Sequence, residues 1–251
     1  MHSGKTTKIV RTATVVGIAA IFSSFQSVRA EEMLSLFQRH RGLGNVEVEI
    51  TRNSARIVQP EGNCFVVAGP DWDVHIFNQK RKRMAKLLFK NFVRNGPKNI
   101  EYLEGATEWP LVTENPQTSY KHLPAKLYAL PFKHKDGRLV ELKRAKAGSY
   151  YVSRNFPVDP HILTFLQQMF HLQPADGVPL KFVKLGHPYQ FGQGLAYNRQ
   201  EGTVTILDTI TAQLKPAKKF VIPQGYKMTN ESDVTMGDKT EDMREIIEQL
   251  N

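Results

Sequence analysis

The chain has one cysteine among its 251 residues, Cys64. No intramolecular disulfide can form, so the fold has to be stable without a covalent cross-link. Cys64 lies in the apolar run 64–67, which is typical of a small core residue. The alternative is an enzyme in which Cys64 acts with a histidine, and this would require an exposed, electropositive setting for the thiol.

Recognisable catalytic and metal-binding motifs are also missing. No two histidines have the HxH or HxxxH spacing that supplies two metal ligands from one element. A Gly-x-Ser-x-Gly elbow, a phosphate loop and a dinucleotide fingerprint are absent. Asp71 and Asp73 flank Trp72, an arrangement more typical of a turn than of a glycosidase pair. We therefore predict a protein that is not an enzyme and has no catalytic residue, metal or cofactor.

Long apolar runs are absent after the first thirty residues. Lys5, Lys8 and Arg11 precede the mainly apolar stretch 13–25, and small residues lead up to Ala30. This order is typical of a signal peptide. The alternative, a membrane anchor, needs about twenty apolar residues, and this run is shorter. We predict cleavage near Ala30 and a mature protein in the periplasm or outside the cell.

The charge is basic but moderate. The predicted signal peptide carries four basic residues and no acidic one, so its removal lowers the net charge from +10 to +6. A positive charge of this size favours contact with anionic lipid or polysaccharide but does not require either. No nucleic-acid-binding motif is present, and export also disfavours that role. The length of 31–251 suits a single domain, in which the proline-rich range 95–131 is a candidate irregular insertion.

Alternating apolar and polar residues dominate the rest of the chain. Four short alternating runs separated by turn residues fill 46–78 and predict a meander of antiparallel strands. Further strands are predicted at 178–185 and within 203–227, where a strand, a break and a short closing strand would end the sheet. The predicted fold class is therefore α+β and mainly antiparallel β.

Helices are predicted at four places. Residues 33–41 have apolar side chains at helical spacing, and a final helix is predicted at 240–250. Asp159 followed by Pro160 is a strong helix start, and apolar residues recur after it at i, i+3, i+4, i+7 and i+8. This helix should pack on the concave side of a sheet.

The fourth predicted helix, 80–94, is strongly basic. It could contact anionic membrane or an acidic envelope protein, or it could be an ordinary helix that packs on the sheet with solvated lysines. The candidates for a basic contact face are Lys80, Arg81, Lys82, Arg83, Lys86 and Lys90.

Four segments resemble the outer-membrane lipoprotein carrier (LolA-like) superfamily. They are residues 72–80, 177–181, 207–209 and 220–227, the last with the phrase F-x-x-P-x-G-Y. The resemblance implies an incomplete antiparallel β-barrel whose concave face is covered by helices and encloses an apolar cavity. It also implies an uncharacterised secreted relative of the carriers.

The resemblance implies a non-enzymatic protein that binds lipid or lipoprotein acyl chains by burying them. The alternative is an envelope sensor or protein-interaction module that uses the same fold without ligand transport. The residues implied to line the cavity or its lid are Val74, Ile76, Ile162, Phe165, Met169, Val204 and Ile206.

Overall fold

The computed structural model describes residues 31–96, 110–131, 146–185 and 203–235. The strands are β1 (Glu32–His40), β2 (Gly44–Ile50), β3 (Ser54–Val58), β4 (Asn63–Ala68), β5 (Val74–Asn78), β6 (Arg83–Leu87), β7 (Val112–Tyr120), β8 (Leu123–Pro131), β9 (Lys146–Ser153), β10 (Pro179–Leu185), β11 (Thr203–Pro216) and β12 (Lys227–Met228). The helices are α1 (Phe89–Asn95), α2 (Pro160–Met169) and α3 (Glu231–Thr235).

All these strands join one sheet in the order β12-β6-β5-β4-β3-β2-β1-β11-β10-β9-β8-β7. Every pair is antiparallel except the short contact of β12 with β6. The sheet is curved and does not close, because β12 and β7 lie at its two ends. The predicted fold class, an incomplete antiparallel barrel with few helices, is confirmed.

The long strand β11 lies in the middle of the sheet, between β1 and β10. The prediction that 203–227 forms the closing edge is therefore wrong. The predicted short strand within 220–222 is also absent, since residues 217–226 run over the outer face of the sheet instead. Sequence alternation indicates a strand but does not say which neighbours it will have.

The predicted helix at 33–41 is wrong, because this stretch forms β1. Leu34, Leu36, Gln38 and His40 are all buried on one side, with the two-residue period of a strand. Hydrogen bonds to β2 on one edge and β11 on the other satisfy the backbone of β1. This pairing outweighs the helical spacing of the side chains, as tertiary context often does.

The predicted basic helix at 80–94 is also wrong. Its first residues form a turn, Arg83–Leu87 is strand β6, and only Phe89–Asn95 is helical. Lys82 has a φ of 50°, a left-handed conformation that does not continue a helix. The basic residues therefore do not share one helix face.

Helix α2 begins as predicted. The carboxylate of Asp159 accepts a hydrogen bond from the backbone N–H of His161 at 2.9 Å, and Pro160 occupies the first helical turn. The second half of the range considered as an irregular insertion, 95–131, contains β7 and β8 and belongs to the sheet. The predicted signal peptide, the final helix at 240–250 and the flanking half of that range, 97–109, lie outside the described residues.

Two apolar clusters pack against the sheet. The large one fills the concave side between the sheet, α1 and α2. A small one on the outer face contains Cys64, Val66 and Phe77, and Phe220 and Tyr226 of the segment 217–226 pack against it. Among the described helices, none combines the length and the apolar character needed to span a bilayer.

Candidate functional site

The concave face beneath α2 is the candidate site. Ile162, Phe165, Leu166 and Met169 of α2 are completely buried against the sheet, and Phe170 follows them into the core. The ring of Phe165 lies 5.3 Å from that of Phe92 in α1. Because these contacts involve side chains, α2 covers the sheet without being part of its hydrogen-bond ladder.

The predicted cavity and lid residues come together at this place. Val74 and Ile76 of β5 and Ile206 of β11 are buried in the same cluster as the α2 residues. Val204 is only partly buried and packs at the edge of the cluster. The seven side chains therefore pack in or against one cluster between α2 and the sheet.

At its N-terminal end, α2 meets the sheet near the surface. The backbone N–H of Asp159 donates to the carbonyl of Arg52, in the turn between β2 and β3, at 2.9 Å; within the described residues this is the one backbone hydrogen bond between the start of α2 and the β2–β3 hairpin. The imidazole of His161 stacks on Trp72, with 4.6 Å between ring centroids, and meets the edge of Phe89 at 5.2 Å. The same imidazole lies 2.7 Å from the carboxylate of Asp159 through Nδ1.

The C-terminal end of α2 is held in the interior. The Nε2–H of His40 donates to the carbonyl of Phe170 at 3.2 Å, while the Nδ1 of His40 accepts from the N–H groups of Gly42 and Leu43. Burial lowers the pKa of His40 to about 4, so the ring is neutral at pH 7. The amide of Gln167 donates to the carbonyl of Ala175 at 2.9 Å and fixes the turn after the helix.

An open pocket of about 290 Å³ lies elsewhere, between β6, α1 and the start of α3. None of the predicted cavity residues contributes to it. Its lining includes the polar residues Asn91, Asn95 and Asn230 together with the apolar residues Ala85 and Leu87.

Cys64 lies on the other side of the sheet, in the small outer cluster. Burial raises the pKa of its thiol and outweighs the opposing effect of the nearby Arg56 guanidinium. Arg56 also pairs with Glu49 at 2.8 Å, and Lys218 reaches the same carboxylate at 2.6 Å. Burial alone would raise the pKa of Glu49, but these two partners outweigh it and the pKa is lowered. The thiol has the surroundings of a core residue.

The candidate basic residues are dispersed. Lys80, Arg81 and Lys82 lie in the exposed turn before β6, whereas Arg83 is buried. Lys86 pairs with Asp73 at 2.8 Å on the sheet. Lys90 is exposed on α1. Their separation follows from the strand that interrupts the predicted helix.

Sequence reasoning missed the groups that hold the two ends of α2. His40 was placed on the face of a helix, and Trp72 and His161 were not connected to each other, because they are far apart in the sequence. The order Asp-Pro-His at 159–161 predicts the start of a helix and so locates His161, but no feature of the sequence identifies Trp72 as its partner. Among the described residues, no group of three or more potential metal ligands is found.

Comparison with known proteins gives distant structural similarity alone. No protein family model and no curated protein matches the sequence. The fold is similar to that of an uncharacterized conserved protein from Thermus thermophilus, with a TM-score of 0.38, 9% identity, and coverage of 80% of this chain and 91% of that one. A putative outer membrane lipoprotein-sorting protein domain from Vibrio parahaemolyticus gives a TM-score of 0.27, 12% identity, and coverage of 82% and 90%. Similarity at this level carries no conclusion about function.

Proposed function

We propose that this protein, after export, binds the apolar chains of lipids or lipoproteins on the concave face of its sheet, without catalysing a reaction. The observation that supports this best is the way α2 covers that face, through buried apolar side chains and one backbone hydrogen bond near its start. An acyl chain offers the sheet the same kind of surface as α2 does. In this proposal the ligand displaces α2 from all or part of the face.

The energies of the two arrangements are comparable. Five apolar side chains of the α2 region are buried, and each contributes about 1.5–3 kcal/mol. An acyl chain of about sixteen carbons gains roughly 0.8 kcal/mol for each of the CH₂ groups that it buries, or about 11 kcal/mol in all. A long acyl chain therefore gains enough free energy to replace α2 on the sheet, whereas a short chain would not compete with the helix.

Chain length provides the test. The protein consisting of residues 31–251 is freed of lipid and titrated with saturated fatty acids of increasing length, which compete with a fluorescent fatty acid. Because each CH₂ contributes about 0.8 kcal/mol, we expect affinity to rise about fourfold for each added CH₂ group. Native mass spectrometry of the untreated protein should also detect bound chains.

A matched pair of variants sharpens the test. Phe165→Ala weakens the packing of α2, so a chain that competes with α2 should bind at least about tenfold more tightly. Phe220→Ala removes an aromatic ring from the outer face and should leave acyl affinity unchanged. Affinity that does not depend on chain length, or that falls in Phe165→Ala, contradicts the proposal.

The second candidate is a sensor or protein-interaction module of the envelope. The observation in its favour is that the described side chains already fill the concave space. On this hypothesis α2 stays in place and the protein binds a partner through its surface. The absence of any acyl binding, both in the unmodified protein and in Phe165→Ala, would support this candidate over the first.

A further inference from the structure

We infer that the acyl chain reaches the concave face at the N-terminal end of α2, past a latch formed by Trp72, Phe89 and His161. This inference rests on the proposed function and adds to it the side of the molecule at which α2 opens. The two ends of α2 differ in how they are held, and this difference carries the argument.

The latch is a stack of three rings at the surface. Trp72 and His161 are nearly parallel, with 7° between their planes, and Phe89 meets His161 edge-on. His161 is exposed, and Trp72 and Phe89 are half-buried. Water therefore reaches the stacked rings. The rings can separate without exposing a buried polar group.

The position of Trp72 is fixed by its own backbone. Its N–H donates to the carbonyl of Ala68 at 3.0 Å, and its φ is 60°. The indole lies so close to Gly69 that a Cβ at that position would be 2.9 Å from the ring. The sheet therefore presents Trp72 as a fixed platform, and His161 is the movable partner because it belongs to α2.

The other end of α2 has no comparable freedom. Phe170 is buried, and its carbonyl is bound to the buried His40. Leu172 and Gln173, which follow, are buried as well. Moving this end would break the buried hydrogen bond between His40 and Phe170, and the groups left unsatisfied would cost about 1–3 kcal/mol. The helix should therefore swing out from its N-terminal end.

Apolar surface beside the latch suits the chain that would pass it. Leu88 precedes α1 and is 49% exposed, next to the half-buried Phe89. Beneath the stack, the first buried side chain of α2 is Ile162, which packs in the same cluster as Val74 of β5. Trp72 and Phe89 of the latch also pack against this cluster, so apolar surface extends from the concave core to the latch, and Leu88 precedes Phe89 at the surface.

The first test measures how fast a chain binds. A dansyl-labelled hexadecanoic acid is mixed with the protein in a stopped-flow instrument. Removing the stack by His161→Ala should speed association about two- to tenfold, as expected from the strength of an aromatic pair. The matched control is Gln167→Ala, which removes the hydrogen bond to Ala175 at the other end of α2 and should leave the rate within about twofold.

The second test closes the latch end covalently. The backbone N–H···O bond of 2.9 Å between Asp159 and Arg52 makes these two residues neighbours at the latch end, so they are the pair chosen for a disulfide. In a Cys64→Ala background, Arg52→Cys with Asp159→Cys should slow association at least tenfold when oxidised and recover when reduced. Each single cysteine variant serves as its control.

Fluorescence reports the latch directly. The chain has two tryptophans, so Trp109→Phe leaves Trp72 as the reporter. Emission from Trp72 should change when unlabelled hexadecanoic acid binds, because the stack opens. The change should be absent in His161→Ala, in which the stack is already lost. The proposed path is overturned if the probe binds at an unchanged rate to both His161→Ala and the oxidised disulfide variant, or if Gln167→Ala is the faster variant. Failure of the unmodified protein to bind any acyl probe would instead overturn the proposed function, and the path with it.

Discussion

His40 shows how one buried ring can link stability to pH. Both of its nitrogens are engaged, one as acceptor from two backbone N–H groups and one as donor to Phe170. A second proton would place an N–H against two N–H groups. Burial is the main reason that the pKa is lowered to about 4, and it lowers the pKa of nearby His171 as well.

We expect acid to destabilise the protein through His40. The unfolded state takes up a proton near pH 6.5 and the folded state only near 4, so stability falls as the pH falls from 7 toward 4. Between pH 7 and pH 5 the loss should be about 2 kcal/mol. Urea unfolding at both pH values measures it. His40→Gln should remove this part of the pH dependence, and an identical loss in that variant would contradict the assignment.

At the scale of elements, the segment 217–226 follows β11 out of the sheet and crosses its outer face. Lys218 bonds to Glu49 on β2, and the ring of Tyr226 meets the edge of Phe77 on β5 at 6.2 Å. Phe220 lies between them on the small outer cluster, while Val221 is 78% exposed. The segment therefore covers a face that would otherwise leave apolar side chains in water.

Substitutions at two neighbouring positions test whether Phe220 holds this segment on the sheet. Phe220→Ala should lower the free energy of unfolding by about 1–3 kcal/mol, less than a fully buried phenylalanine because its ring is half-buried. Val221→Ala should change it by less than about 0.5 kcal/mol. Thermal or urea unfolding measures both. Equal effects would mean that the segment is not held by Phe220.

The helices and strands also differ in how well the sequence predicts them. Helix α2 was found from sequence because its cap, its proline and its apolar stripe all lie within a dozen residues. Strand β1 was mistaken for a helix, because its apolar residues satisfy helical spacing when its partners are unknown. The helix predicted at 80–94 was wrong for the same reason, because the pairing of β6 with β5 interrupts it.

For the molecule as a whole, β11 joins two halves of the sheet. Strands β1–β6 and β12 lie on one side of it and β7–β10 on the other. Ser35 on β1 and Lys215 on β11 hydrogen bond although they are 180 positions apart. The central pairing is therefore made between the two ends of the described chain, and such non-local contacts form late and slowly.

Removing β11 should prevent folding of the whole domain. A chain of residues 31–202 would leave the inner edges of β1 and β10 without a partner, and exposed strand edges promote aggregation. We expect it to lack the cooperative thermal transition that residues 31–251 show by circular dichroism. A cooperative transition in the shorter chain would show that the two halves are stable without the strand that joins them.

The sequence by itself determined the antiparallel β character, the start of α2 and the burial of Cys64, because alternation, capping and local apolar runs are properties of neighbouring residues. The seven residues implied to line a cavity were found in or against one cluster, since each faces the core of its own element. Only the tertiary structure decided that β11 is central, that α2 fills the concave face, and that Trp72 and His161 meet. Those features depend on pairings between distant segments, where many alternatives share the same local pattern and packing selects one of them.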